Sequence, residues 1–118
     1  MRHKKKKNTL VSKNSGSRMV IRNLVTSLLM FDKITTTKNN ARAASMVIDK
    51  LITFAKKNNS LNAIRKLNAF VFTDEASKKV MEVLLERYKE RPSGFTSMKK
   101  KGNRKGDGAD IYELSFVE

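Results

Sequence analysis

Cysteine is absent from this 118-residue sequence, histidine occurs once, at His3, and acids are scarce beside bases, with Asp+Glu 11 against Lys+Arg 26. The first absence excludes a disulfide scaffold and any thiolate metal site. The second leaves no set of partners from which a zinc site could be assembled, so no metal and no cofactor are expected. No segment approaches the ~20 consecutive apolar residues that span a bilayer, and no apolar run of signal-peptide length follows the basic N-terminus. The expectation is a soluble, non-secreted chain without a membrane partner.

Catalytic machinery is also missing. His3 falls in a basic leading segment, the acids sit mostly as single positions on charged helix faces, and no nucleophile has a base in view. Neither an enzyme nor a small-molecule substrate is expected.

What is present is positive charge. The formal net is +15, and with a pI near 10.4 it persists at any physiological pH. A small domain stays soluble with a net charge of only about 2 to 8, so the excess implies a polyanionic partner. Hydrophobic residues still make up 39% of the chain and recur in ordered stripes, so the charge decorates a folded body rather than a disordered polycation.

The chain divides into an arm, residues 1–16, and a single domain, residues 17–118. The arm carries Arg2, Lys4, Lys5, Lys6, Lys7 and Lys13 without one acid and ends in small polar residues that favour turns. From Ser17 the spacing predicts a first helix with Ile21, Leu24, Val25, Leu28 and Phe31 on one face, Asn14, Ser15 or Ser17 as N-cap, and Arg18 and Arg22 as a ridge on its flank. The β-branched run in 32–38, Ile34 to Thr37, predicts a short strand.

A second helix is predicted over 40–57 through Ala44, Ile48, Leu51, Ile52 and Ala55. A shorter third helix is predicted within 60–73, with Ser60 as N-cap and Leu61, Ile64, Leu67 and Val71 near helical spacing on its core side. A fourth, capped by Thr73 with Asp74 and Glu75 in its first turn, buries Val80, Met81, Leu84, Leu85 and Tyr88 and is stopped by Pro92 and Gly94.

Beyond Gly94 the chain reads as a hairpin. An extended run from Phe95 to about Lys101 precedes a long glycine-rich loop, and a second strand places Tyr112, Leu114 and Phe116 on one side against Ile111, Glu113 and Ser115 on the other. In this reading Lys99, Lys100, Lys101, Arg104 and Lys105 project together as one cationic finger, whose glycines let the backbone approach phosphates. Asp107 and Asp110 read as turn chemistry, and Tyr88, Phe95, Tyr112 and Phe116 as core packing.

Charge is unevenly spread. Residues 1–31 contain no acid, whereas residues 32–90 mix seven acids with twelve bases. Arm, first helix and loop are therefore the expected contact surface. A nuclear-localisation run at Lys4 to Lys7, a membrane surface and a phosphate-binding loop in "GNRKGDG" are weaker readings. The arm has no aromatics, and the loop lacks a Gly-Lys-Ser/Thr ending and a following helix. Counterion release works for DNA and RNA alike. No zinc finger, zipper or RNP-type motif is present, and lysine arms with glycine loops suit irregular folded RNA better than a DNA groove. A DNA-binding or DNA-compacting protein is the alternative.

The pieces "MRHK" at the start, Arg22-Asn23, Ser27-Leu28, Thr36-Thr37, "LITFAK" from Leu51 to Lys56, and the spaced ending "GFT…K.G.R.GD.A…EL" occur in this order over nearly the whole chain. In this the sequence resembles the family of the seventeenth protein of the bacterial large ribosomal subunit. The resemblance implies a two-layer α+β fold, about four helices on a small mixed or antiparallel sheet. It further implies a cytoplasmic, non-enzymatic structural component of the large subunit that binds large-subunit ribosomal RNA beside neighbouring large-subunit ribosomal proteins. Arg2, His3, Lys4, Arg18, Arg22 and Asn23 match the family's N-terminal pattern, and Gly94, Thr96, Lys100, Gly102, Arg104, Gly106 and Asp107 its C-terminal one. The sequence departs from the pattern at Asp32, Ala43, Ser45 and Ser97. The expected RNA-contacting set is Arg2, His3, Lys4, Lys5, Lys6, Lys7, Lys13, Arg18, Arg22, Asn23, Thr96, Lys99, Lys100, Lys101, Arg104 and Lys105.

Overall fold

A computed structural model describes residues 15–117. In chain order these form α1 (Ser15–Phe31), β1 (Lys33–Thr37), α2 (Lys38–Lys57), α3 (Ser60–Phe70), α4 (Asp74–Lys79), a π-helical segment (Val80–Leu84), a last helical turn α5 (Leu85–Arg87), β2 (Thr96–Asn103) and β3 (Asp110–Phe116). Because α4, the π segment and α5 follow without a break, four helices pack on one small sheet, the α+β arrangement expected from the sequence. The sheet is antiparallel throughout, in the order β1-β3-β2.

The core follows the helical stripes. α1 buries Ile21, Val25, Leu28 and Leu29. Phe31, expected on the same face, is 72% exposed, because it ends the helix. The next residue, Asp32, has φ 67 and turns the chain aside while its N–H still donates to Leu28 O at 2.9 Å, a left-handed termination that Asp tolerates better than most residues.

α2 begins two residues earlier than predicted and touches α1, α3 and all three strands. Ala41, Ala43 and Ala44 are fully buried beside Ile48 and Ile52. Small side chains on so central a helix let neighbours approach from several sides. Two polar ties fix it to the start of β2. The Ser45 and Thr96 hydroxyls lie 2.7 Å apart, and Asp49 Oδ1 accepts from Phe95 N at 3.3 Å. Desolvation pushes the Asp49 carboxyl above the ordinary range, and the Phe95 N–H opposes the shift.

α3 corrects the sequence expectation. Asn59, not Ser60, is its cap, accepting from Asn62 N at 3.0 Å. The helix buries Ala63 and Leu67, while Leu61 and Ile64 are exposed. Steps of three residues rotate ~300°, so Leu61 lies about 120° around the helix from Leu67, whereas Ala63, Leu67 and Val71, four apart, stay on one side.

In the fourth helix Thr73 Oγ1 accepts from Ala76 N at 3.3 Å as predicted, and Val80, Leu84 and Tyr88 are buried. The π segment was not marked in the sequence; within it Leu85 N donates back to Val80 O, five residues away. The Tyr88 ring packs on Phe95 at 5.2 Å and its hydroxyl donates to Val117 O. The helix is thereby tied to the last strand.

Strand pairing sets two faces. Ile34, Leu114 and Met98 lie in register on the helix side, with Phe116 opposite Thr96. Lys33, Thr35, Glu113, Ser115, Ser97 and Lys99 share the other face, which is open among the described residues. β2 runs to Asn103, two residues past the expected end near Lys101, so the loop beyond it is shorter than the sequence suggested. The ladder slips between Lys100 and Gly102, where φ 147 at Gly102 makes a bulge that a side chain rarely adopts.

Candidate nucleic-acid interface

The expected contact residues separate into three groups once placed. Arg2, His3, Lys4, Lys5, Lys6, Lys7 and Lys13 lie outside the described residues. Arg18, Arg22 and Asn23 are on α1, and Thr96, Lys99, Lys100, Lys101, Arg104 and Lys105 are on the β2–β3 hairpin.

On α1, the ridge of two arginines is split by its surroundings. Arg22 Nε donates to Phe70 O at 2.6 Å, Nη2 to Ala69 O at 3.4 Å, and the guanidinium lies 4.3 Å from the centroid of the Phe72 ring. α3 has no basic residue in its own last turn, so Arg22 supplies the cation that its carbonyl end attracts. Thr26 reinforces the joint, donating to Arg22 O at 2.7 Å and accepting from Phe72 N at 3.3 Å. Arg22 is therefore engaged inside the fold. Arg18, one helical turn before Arg22, and Asn23, the residue after it, are exposed, and Met19 and Val20 beside Arg18 are exposed as well.

On the hairpin, each acid meets a cation. Arg104 clasps Asp107 with two bonds, Nε to Oδ1 at 3.1 Å and Nη2 to Oδ2 at 2.5 Å. Asp107 Oδ1 also accepts from Ala109 N at 3.1 Å, the turn chemistry read from the sequence. The guanidinium first, then the Ala109 N–H, hold the Asp107 carboxyl down at about 2. Arg104 N donates to Ala109 O at 2.8 Å and Gly108 N to Arg104 O at 3.0 Å, so the connection is a short, self-bonded turn. Asp110, read as a turn residue, stands instead in β3 with Lys100 Nζ at 3.5 Å.

The three lysines do not project together, since strand geometry sends alternate side chains to opposite faces. Lys99 and Lys100 stand opposite Glu113 and Tyr112 respectively, and Lys101 Nζ bonds Glu113 Oε2 at 2.8 Å. Lys33 Nζ reaches the other oxygen of Glu113 at 3.8 Å. The Lys101 hydrogen bond chiefly holds the Glu113 carboxyl below its ordinary range, with Lys33 and Lys99 adding smaller effects. Among the described residues, Lys99 and Lys105 have no carboxylate at ion-pairing distance. Thr96 is half-buried on Ser45 and is a structural tie.

Of the expected contact residues within the described part, Arg18 and Asn23 on α1 and Lys99 and Lys105 on the hairpin stand exposed without an ion-pair partner there, and Lys100, Lys101 and Arg104 are partly neutralised by local acids. Sequence reasoning missed Lys33, which only the β1–β3 register brings beside Glu113. Such a surface can neutralise phosphates and orient a backbone. It offers no nucleophile or metal-ligating set, and no His/Asp/Glu cluster suited to a metal occurs among the described residues.

Comparison with known proteins finds that the family model described as ribosomal protein L17 matches residues 20–117. The large ribosomal subunit protein bL17 of Desulforudis audaxviator is 39% identical over 100 residues, covering 85% of this chain and 88% of the relative. Its namesake from Endomicrobium trichonymphae is 40% identical over 104 residues, 88% of each chain. That of Dehalococcoides mccartyi is 41% identical over 105 residues, 88% of this chain and 89% of the relative.

Proposed function

The chain belongs to the ribosomal protein L17 family, and from that premise we propose that it holds large-subunit ribosomal RNA through its basic arm, the exposed side of α1 and the β2–β3 hairpin. Membership makes the chain a non-enzymatic structural constituent of the large subunit in the cytoplasmic ribosome. Ribosomal RNA and neighbouring ribosomal proteins are its partners.

The observation that carries the RNA reading is the placement of charge. Arg18 on α1, Lys99 on β2 and Lys105 in the self-bonded turn stand exposed without an acid partner among the described residues. The helical body and sheet fix where these cations stand. Their role is to neutralise phosphates and set the protein's orientation on the RNA, and binding is accordingly steeply salt-dependent. Residues 1–16 add six more cations, which extend the same sequence-independent attraction.

Sedimentation of a native lysate through a high-salt sucrose gradient tests the reading. The chain is expected to travel with the large subunit after the wash. Release to the top fractions, or equal competition by duplex DNA in a binding assay with purified large-subunit RNA, would overturn it.

A further inference from the structure

The open face of the sheet carries a groove in which Lys99, already among the expected contacts, meets two cations from outside that set. It has a volume of about 800 Å³ and is lined by residues that include Lys33 from β1, Ser97 and Lys99 from β2, Ser115 from β3, and Arg87 from the end of the fourth helix. Three separate stretches of chain deliver its three cations, and no sequence window contains them together.

The charge in the groove is not cancelled. Its two carboxylates are Asp32 and Glu113. Asp32 is bonded by Lys79 and Glu113 by Lys101 at 2.8 Å, and neither of those lysines lines the groove. Lys33 is held only at 3.8 Å from Glu113. Among the described residues, Lys99 and Arg87 have no carboxylate at ion-pairing distance. Hydroxyls at Ser97 and Ser115 lie between the cations, and they donate to phosphate oxygens without adding charge. Across the strands the face offers Thr35, Glu113 and Ser115; the apolar members of the lining are Val117 and Phe116, and Phe116 is only 7% exposed, which leaves little apolar area for a protein partner to cover.

The geometry points to this groove as a binding site for the sugar-phosphate backbone of RNA, with Lys33, Arg87 and Lys99 each neutralising a phosphate. The inference rests on the ribosomal reading above and adds a face of the protein to it. Glu113 is a positioning residue in the site: anionic, and bonded by Lys101, it keeps the strand lysines extended over the sheet without itself facing a phosphate.

The test uses the full chain and purified large-subunit ribosomal RNA in filter binding over a range of salt. The triple variant Lys33→Gln, Arg87→Gln, Lys99→Gln is expected to lower the salt slope by about 2 units and to weaken binding roughly tenfold or more at physiological ionic strength. Ser97→Glu, which leaves all three cations in place and introduces a carboxylate among them, is expected to weaken binding in the same direction, and it decides the matter if the triple variant fails to fold. Acetylation of native large subunits with an amine-reactive reagent gives an independent readout. Lys33 and Lys99 are expected to be protected in the subunit and reactive in the free protein. Wild-type affinity in both variants, or equal reactivity of the two lysines in both states, would overturn the groove while leaving the ribosomal reading intact. Failure of the unaltered chain to bind the RNA would overturn the reading itself.

Discussion

The β2–β3 hairpin and the fourth helix both mix charges densely, yet they arrange them differently. On the hairpin Asp107, Asp110 and Glu113 are each joined to a cation, Arg104, Lys100 and Lys101 respectively. On the fourth helix and the turn after it, Asp74, Glu75, Glu82, Glu86 and Glu90 are all exposed, and among the described residues none of them takes part in an ion pair. The acids of the hairpin organise its cations, whereas those of the helix face water and repel a polyanion. On the proposed RNA reading, local charge counts alone do not locate the contact surface. What matters is which cations remain after near neighbours have been satisfied, and on the hairpin these are Lys99 and Lys105.

The contrast breaks first at the unpaired cations. Arg18→Gln with Lys105→Gln is expected to weaken binding to large-subunit RNA several-fold and to lower the salt slope by about 1 to 2 units, read in a salt titration. A slope equal to wild type would mean that these side chains stay hydrated in the complex.

Arg22→Ala is expected to act on the fold rather than on the partner. It leaves the carbonyls at the end of α3 without their donors and removes a cation from the Phe72 ring, so denaturant unfolding is expected to show a loss of roughly 1 to 3 kcal/mol. RNA affinity per folded molecule should stay close to wild type. A slope change as large as that of the Arg18 and Lys105 pair would instead place Arg22 on the RNA.

A finer version of the comparison lies within the turn. Asp107 titrates at about 2 because Arg104 clasps it, below the ordinary 3.8 of the unfolded chain. Its ionised form therefore favours the folded turn at pH above about 4, and that contribution fades as pH falls toward 2. Arg104→Gln is expected to return the Asp107 carboxyl toward the ordinary range in an NMR titration, and to disturb RNA binding less than Lys105→Gln does. The smallest effect belongs to the helix. Glu82→Gln with Glu86→Gln should alter affinity by less than about twofold, a tightening if anything, since the change removes only repulsion.

These differences also explain what the sequence could and could not disclose. The buried faces of α2 and the fourth helix were legible because long stripes four and seven residues apart stay on one side of a helix. The α3 stripe misled because steps of three drift around the axis. The lysines at the end of β2 read as the base of a projecting finger because Lys and Gly disfavour strands, and pairing with β3 overrides that preference and carries the strand on to Asn103. Asp107 as a turn residue could be read from its glycine neighbours, but the partner of Arg22 could not, since the Phe70 carbonyl lies 48 residues away. The groove of Lys33, Arg87 and Lys99 exists only in the folded register, which no window of the sequence displays.

The absence of cysteine makes the central claim directly measurable. A cleaving iron chelate can be tethered at a single introduced thiol, Lys105→Cys in one protein and Glu82→Cys in another, each bound to large-subunit ribosomal RNA. Hydroxyl-radical scission should be strong and confined to a few sites from position 105, and weak from position 82. Equal scission from both, or stronger scission from position 82, would contradict the claim that the unpaired cations of the hairpin, and not the Glu82 side of the fourth helix, face the RNA.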